Sequence, residues 1–179
     1  MKVLKIIIIV IIALAAIIII GGMFLPKNYV VSRSSQINAP DSIIYNNIAD
    51  FQKFNSWSPW VKMDPDADYT YSGNPKQIGH NVAWDGDEMG KGSMTILALE
   101  PYRMIDIDLH FLEPMDSQAN TRFMIEPAGN GNTVTWTMSG ENNLLARWMC
   151  VFMDMDKMVG GDFESGLNSL KGISEAQAK

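Results

Sequence analysis

Asp106, Asp108 and His110 fall two residues apart along the chain. On an extended strand that spacing turns all three side chains to one face. Two carboxylates and an imidazole suit a hard or borderline metal ion. The same period also describes the wet face of a half-buried strand. The alternating partners Ile105, Ile107, Leu109 and Phe111 are all large and apolar, which favours that plainer reading and no metal. The other histidine, His80, has the chemistry of a general base, because imidazole titrates near neutral pH. It would need a second polar group, such as Asp85. Its same-face neighbours Val82 and Trp84 are apolar, so a hydrogen-bonded structural role fits better.

Gly86 to Ser93 superficially has the look of a phosphate loop. Only three residues separate Gly86 from Gly90, and Lys91 is followed by Gly92 rather than Ser or Thr, so a tight hairpin turn is expected. The single cysteine, Cys150, has Arg147 one turn away as its basic neighbour and reads as an inert thiol. Met149, Met153, Met155 and Met158 offer thioethers to copper(I). The competing account is that unbranched, polarizable side chains fill a core or line an adaptable apolar pocket. Trp57, Trp60, Trp84 and Trp136 are candidates for the wall of such a pocket. Trp57 and Trp60 could equally lock helices to a sheet. No catalytic residue, metal or cofactor is assigned.

The elements that position these residues belong to a chain of 179 residues, 47% apolar, long enough for one domain and an appendage. The net charge is −6, which argues against a nucleic-acid partner. A lone cysteine gives neither an intramolecular disulfide nor a cysteine metal cage.

From Ile6 to Leu25 the chain carries no charge and no polar stripe. Twenty residues of helix span about 30 Å, the thickness of a bilayer's hydrocarbon core. The rival is a cleaved signal peptide, with Ala13-Leu14-Ala15 as a small-x-small site. Cleavage there would leave Ala16 and four isoleucines as a greasy terminus, so an uncleaved anchor over residues 1–26 is expected. Lys2 and Lys5 precede the span and Lys27 and Arg33 follow it, so the positive-inside rule barely discriminates. A short basic tail ahead of a long apolar run most often stays in the cytoplasm. That places a globular domain over residues 27–179 on the extracytoplasmic, periplasmic side of an inner (plasma) membrane. This domain carries about −8, so anionic headgroups would repel it and the anchor must hold it.

The rest reads as strands with helices at fixed places. Tyr29 to Ile37 has the polar alternation of an edge strand. Pro40 and Asp41 open a helix carrying Ile44, Ile48 and Phe51 on one face. Strand patterns follow over 68–72, 80–85, 91–99, 103–111, 119–126 and 133–139, separated by turn residues, which indicates an antiparallel meander. One face is apolar and the other wet, so something covers one side only. The tail supplies the cover: Leu145, Trp148, Phe152, Met155 and Val159 lie at helical spacing, and Phe163, Leu167 and Leu170 continue it. Residues 26–28 are the expected hinge.

Several short motifs carry a resemblance. They are Ile37-Asn38-Ala39-Pro40, Trp57-Ser58-Pro59-Trp60 with Asp64-Pro65, Tyr71-Ser72-Gly73, Trp84-Asp85-Gly86, Gly90-Lys91-Gly92-Ser93-Met94 and Asp162-Phe163-Glu164-Ser165-Gly166-Leu167. In their order and spacing the chain resembles the START-like, or SRPBCC, helix-grip superfamily over residues 29–175. Within it the chain is similar to the polyketide cyclase/dehydrase and lipid-transport group, in its membrane-anchored bacterial form. The resemblance implies an α+β fold, with a curved antiparallel sheet wrapped around a long C-terminal helix and a hydrophobic cavity between them. It carries no shared catalytic set. The expected cavity lining is Trp60, Val82, Trp84, Ile96, Ile107, Leu109, Phe123, Trp136, Phe152, Phe163 and Leu167. The expected partners are an apolar small molecule or lipid, and the membrane through residues 6–25. Two alternatives stand beside a binding protein. One is a cyclase/dehydratase- or hydrolase-type enzyme using the cavity. The other is a ligand-free envelope interaction module, which a cavity below about 300 Å³ would favour.

Overall fold

The structure is a computed structural model that describes residues 2–152 and 154–179. It opens with α1, Lys2–Met23, whose isoleucine-rich surface lies exposed. This helix is long and apolar enough to cross a membrane.

Seven strands follow in one antiparallel sheet: β1 (Asn28–Ile37), β2 (Asp68–Ser72), β3 (Asn81–Gly86), β4 (Gly90–Glu100), β5 (Met104–Glu113), β6 (Ser117–Ala128) and β7 (Gly131–Glu141). Their order is β1-β7-β6-β5-β4-β3-β2. The expected meander is therefore present from β2 to β7, and β1 closes the far edge against β7, with Asn28 opposite Glu141. Register shifts at Lys91/Gly92 and Ile96/Ala98 mark irregularities in β4. Such bulges bend a strand and sharpen its twist, which helps curve the sheet.

Between β1 and β2 lie α2 (Asp41–Ala49), α3 (Phe51–Trp57) and a 3-10 turn at Trp60–Lys62. The single helix expected through Phe51 breaks at Asp50, whose backbone is extended and whose carboxylate caps the Gln52 N–H at 3.1 Å. Ile44, Ile48, Phe51 and Phe54 are all buried. Asn47 ties α2 to the C-terminal helix α5 (Met155–Gln177) through Ser174 Oγ at 3.1 Å and Gln177 Oε1 at 3.0 Å.

The tail divides in two. Phe163, Leu167 and Leu170 of α5 are buried against the sheet as expected. The preceding α4 (Leu144–Phe152) has no buried residue and packs on α1 instead. Leu145 and Phe152 therefore do not cover the sheet. The expected stripe fails because the helix ends at Phe152 and restarts at Met155, with Asp154 capping the new helix through its bond from the Lys157 N–H at 3.1 Å. Residues 26–28 are tied rather than free, since Lys27 O accepts from the Asn142 N–H at 2.7 Å.

Candidate functional site

The inward face of the sheet meets α3 and α5 in two ways. Towards β6 and β7 the interior is filled by rings. Trp136 stacks on Phe163 at 4.1 Å between centroids and lies 4.8 Å from Phe123. Phe54, Trp57 and Trp60 pack edge-on around it. Gly166 permits this closeness, because a Cβ there would come within 2.8 Å of the Trp136 ring. The Trp57 indole donates to Asn47 O at 2.9 Å, fastening α3 to α2.

Towards β3, β4 and β5 the same face leaves a cavity of about 240 Å³. Val82, Trp84, Met94, Leu109, Phe111 and Met138 line it from the sheet, and Tyr69 from β2. Trp60, Val61, Met63 and Met89 close it from the loops, and Val159 and Asp162 from α5. Two features shape this wall. Gly92 lies opposite Trp84, and a Cβ there would collide with the Trp84 ring and sit 2.6 Å from His110 O. Buried Asp64 accepts from the N–H groups of Glu88 at 2.9 Å and Met89 at 3.1 Å, which pins the β3–β4 turn against the loop after α3.

Two wall residues each carry a buried polar atom with no protein partner among the described residues: the Tyr69 hydroxyl and the Trp84 indole N–H. The two residues are cross-strand neighbours. Burial, and then the neighbouring Tyr71 and Asp64, push the Tyr69 phenol up from its usual value, so it stays a neutral donor at ordinary pH. The Trp136 N–H is also unpartnered, but its ring lies in the aromatic cluster, and Trp136 is not among the residues lining the cavity.

Of the expected lining residues, Trp60, Val82, Trp84 and Leu109 stand on the cavity wall. Ile96, Ile107, Phe123, Trp136, Phe163 and Leu167 are sealed in the packed core. Phe152 is 82% exposed and borders a separate groove with Tyr29 and Cys150. The methionines of the wall are Met63, Met89, Met94 and Met138. Of the C-terminal set weighed for copper, Met149 and Met158 are exposed, Met155 opens α5, and Met153 lies outside the described residues. Sequence reading missed Tyr69 and Met94. The signal was available in the alternation of both strands, which turns Tyr69 to the side of Tyr71 and Met94 to the side of Ile96.

The other chemical candidates are committed to structure. His80 is buried, accepts the Phe51 N–H on Nε2 at 3.2 Å, and meets Ser72 O through Nδ1 at 3.1 Å. Only the neutral ring with its proton on Nδ1 satisfies both. Asp85 pairs with Lys91 at 3.0 Å on the surface, so the two groups do not converge. Asp106 is covered by Asn120 and a two-nitrogen contact from Arg122, and His110 meets Asp116 at 3.1 Å. Among the described residues no group of three or more His, Cys, Asp or Glu is placed to hold a metal ion. Gly86 to Gly90 is the β3–β4 hairpin turn.

Solved structures share this fold at low identity. Protein CV1439 from Chromobacterium violaceum is 14% identical, with a TM-score of 0.57, covering 82% of this chain and 96% of that one. The Aha1 dimer from Colwellia psychrerythraea is 17% identical, with a TM-score of 0.58 and coverage of 82% and 96%. The di-domain ARO/CYC StfQ from the steffimycin biosynthetic pathway is 10% identical, with a TM-score of 0.61, covering 85% of this chain and 52% of that one. No curated protein matches the chain in sequence. The family model described as polyketide cyclase / dehydrase and lipid transport matches residues 29–175. With that match over most of the chain, and a sheet gripping a C-terminal helix beside an apolar hollow, the protein belongs to the polyketide cyclase/dehydrase and lipid transport family.

Proposed function

We propose that this chain is a membrane-anchored binding protein for a small hydrophobic or amphipathic molecule, held in the cavity beside Trp84. The observation that carries the reading is an apolar hollow walled in part by Tyr69 and Trp84, whose hydroxyl and indole N–H lie buried with no protein partner among the described residues. Leaving a buried donor unsatisfied costs about 1–3 kcal/mol, and a ligand oxygen that reaches either donor removes that cost. Glu88 and Asp162 also border the cavity. Their negative charge disfavours a carboxylate, so the polar end is a neutral acceptor such as a ketone, ester or hydroxyl. Affinity then comes mainly from apolar surface removed from water, at about 25 cal/mol per Å² before the costs of association.

The volume bounds the ligand. About 240 Å³ is below the roughly 300–1,000 Å³ of drug-sized pockets. The occupant is small, or the four wall methionines turn aside to admit more of it, as flexible thioether chains do. The same volume favours the second reading, an envelope module with no ligand. The orphaned donors weigh against that module.

The anchor reading is supported by the docking of α1 on the domain, through the Trp148 indole donating to Ile18 O at 2.9 Å. The test is to purify the full chain in mild detergent beside Met94→Phe, which fills the hollow, and extract both for mass spectrometry. A molecule enriched in the native chain supports the proposal. Equal extracts from both would sink it.

A further inference from the structure

We infer that α4 is a second membrane contact, a short helix lying in the bilayer interface beside the end of α1. The inference rests on the reading of α1 as a membrane span and goes beyond it, since an anchored domain need not touch the lipid. Leu145, Met149 and Phe152 are spaced i, i+4, i+7 and so share one face of α4. They are 59%, 43% and 82% exposed, and Val151 flanks them, also exposed. Nine residues with one charge, Arg147, and an open apolar face have the build of an interfacial helix.

The adjacent face fixes where that stripe sits. Leu144 and Trp148 dock on Gly21 and Gly22. A Cβ on Gly22 would collide with Leu144 and lie 2.9 Å from Trp148 Nε1, and one on Gly21 would lie 3.0 Å from Trp148 Cζ2. The glycine pair is what lets the two helices approach. Trp148 reaches back along α1 to Ile18 O, five residues before the helix ends, about 7.5 Å. Arg147 donates to Gly22 O at 3.3 Å and to Asn142 O at 3.1 Å, at the end of α1. Phe24 continues the apolar surface beyond the helix. A tryptophan and an arginine at the exit of a span sit at headgroup depth. The stripe beside them therefore falls at the acyl boundary.

The connection has little slack to lift it away. Lys27 O accepts from Asn142 N, and Lys27 Nζ pairs with Glu141 at 2.8 Å. The occupant is lipid because the stripe continues the surface of α1. The contact is apolar, because the domain's net negative charge gives anionic headgroups nothing to attract.

The test uses the full chain carrying Cys150→Ser, with single cysteines at Leu145→Cys, Met149→Cys and Phe152→Cys. Ile12→Cys in α1 and Gln52→Cys on α3 are references. Each is nitroxide-labelled in phosphatidylcholine vesicles, and collision rates with oxygen and a water-soluble nickel chelate give depth. The expected result is oxygen-favoured collision at all three α4 positions, shallower than at Ile12 and unchanged by salt, with Gln52 aqueous. Aqueous labels on α4 with a buried label at Ile12 would overturn the inference and leave the anchor standing. Aqueous labels at Ile12 as well would remove both. Spin–spin broadening on α4 that unlabelled protein dilutes away would assign the face to a second copy, and also overturns it.

Discussion

Around Trp136 the sheet meets α5 through stacked rings, while around Trp84 it meets methionines, a tyrosine and open space. Both tryptophans point inward from one sheet, Trp84 on β3 and Trp136 on β7, so strand alternation does not separate them. Their opposite numbers do. Trp136 faces flat aromatic partners that fill the layer between sheet and helix. Trp84 lies over Gly92, which offers its ring a place against the sheet; Phe111 meets it edge-on and Tyr69 lies across the strand, but four methionines share the wall and cover space without filling it. Rings on rings produce a solid, whereas a ring over a glycine beside thioethers leaves a hollow.

The contrast is broken most severely by Trp136→Ala. Losing a fully buried ring in the filled half costs about 3–5 kcal/mol, read as a lower urea midpoint at unchanged slope. Gly92→Ala attacks the open half. Its new methyl group meets the Trp84 ring and a carbonyl oxygen, and overpacking of this kind costs about 1–3 kcal/mol. The expected sign of it is a changed near-ultraviolet spectrum as Trp84 moves. Met94→Phe makes the open half resemble the filled half. Stability should change by less than about 1.5 kcal/mol, yet calorimetric binding of a neutral probe such as 2-decanone should vanish. Tyr69→Phe is subtler. It deletes a hydroxyl without a protein partner, so the unfolding midpoint should hold or rise slightly. Affinity for the ketone should fall about five-fold, the effect of one hydrogen bond near 1 kcal/mol, with decane as the unaffected control.

The smallest effect lies outside both halves, at the seam between β1 and α5. Arg33 donates to Asp156 at 2.9 and 3.0 Å and to Glu164 at 2.8 Å. Those bonds hold the Asp156 carboxyl below its usual range and raise the Arg33 guanidinium. A depressed carboxyl contributes stability above its ordinary pKa and loses it as the pH falls through the folded value. The gap in urea midpoint between the native chain and Arg33→Gln should be small at neutral pH. It should close below about pH 4.

How much of this was legible beforehand follows from what each pattern encodes. The strands were readable because a one-sided sheet forces apolar residues to period two, and Ile105, Ile107 and Leu109 obey it. The helix-grip fold, known by resemblance, is the fold observed. The tail misled because apolar spacing says that a face is buried without naming its cover. Leu145 and Trp148 keep the helical period, yet they serve the exposed stripe and α1 rather than the sheet. The cavity wall was half legible for a similar reason. Ile107 and Leu109 share one inward face, but only Leu109 borders empty space, and that depends on what stands across from it. The apolar neighbours of His80 in sequence indicate a structural role. Its actual employment, bridging Phe51 and Ser72 by both ring nitrogens, is a tertiary fact that no local pattern carries.

The pairing of the first strand with the last has a consequence for biogenesis. β1 leaves the ribosome straight after α1, and its partner β7 emerges more than a hundred residues later. At roughly 5–20 residues per second that is a delay of about 5–20 s. Throughout it a tethered ribbon waits with its amides unmatched. The polar run Ser32, Arg33, Ser34, Ser35 and Gln36 keeps that ribbon wettable, which protects a nascent chain from sticking to its neighbours before the sheet can close.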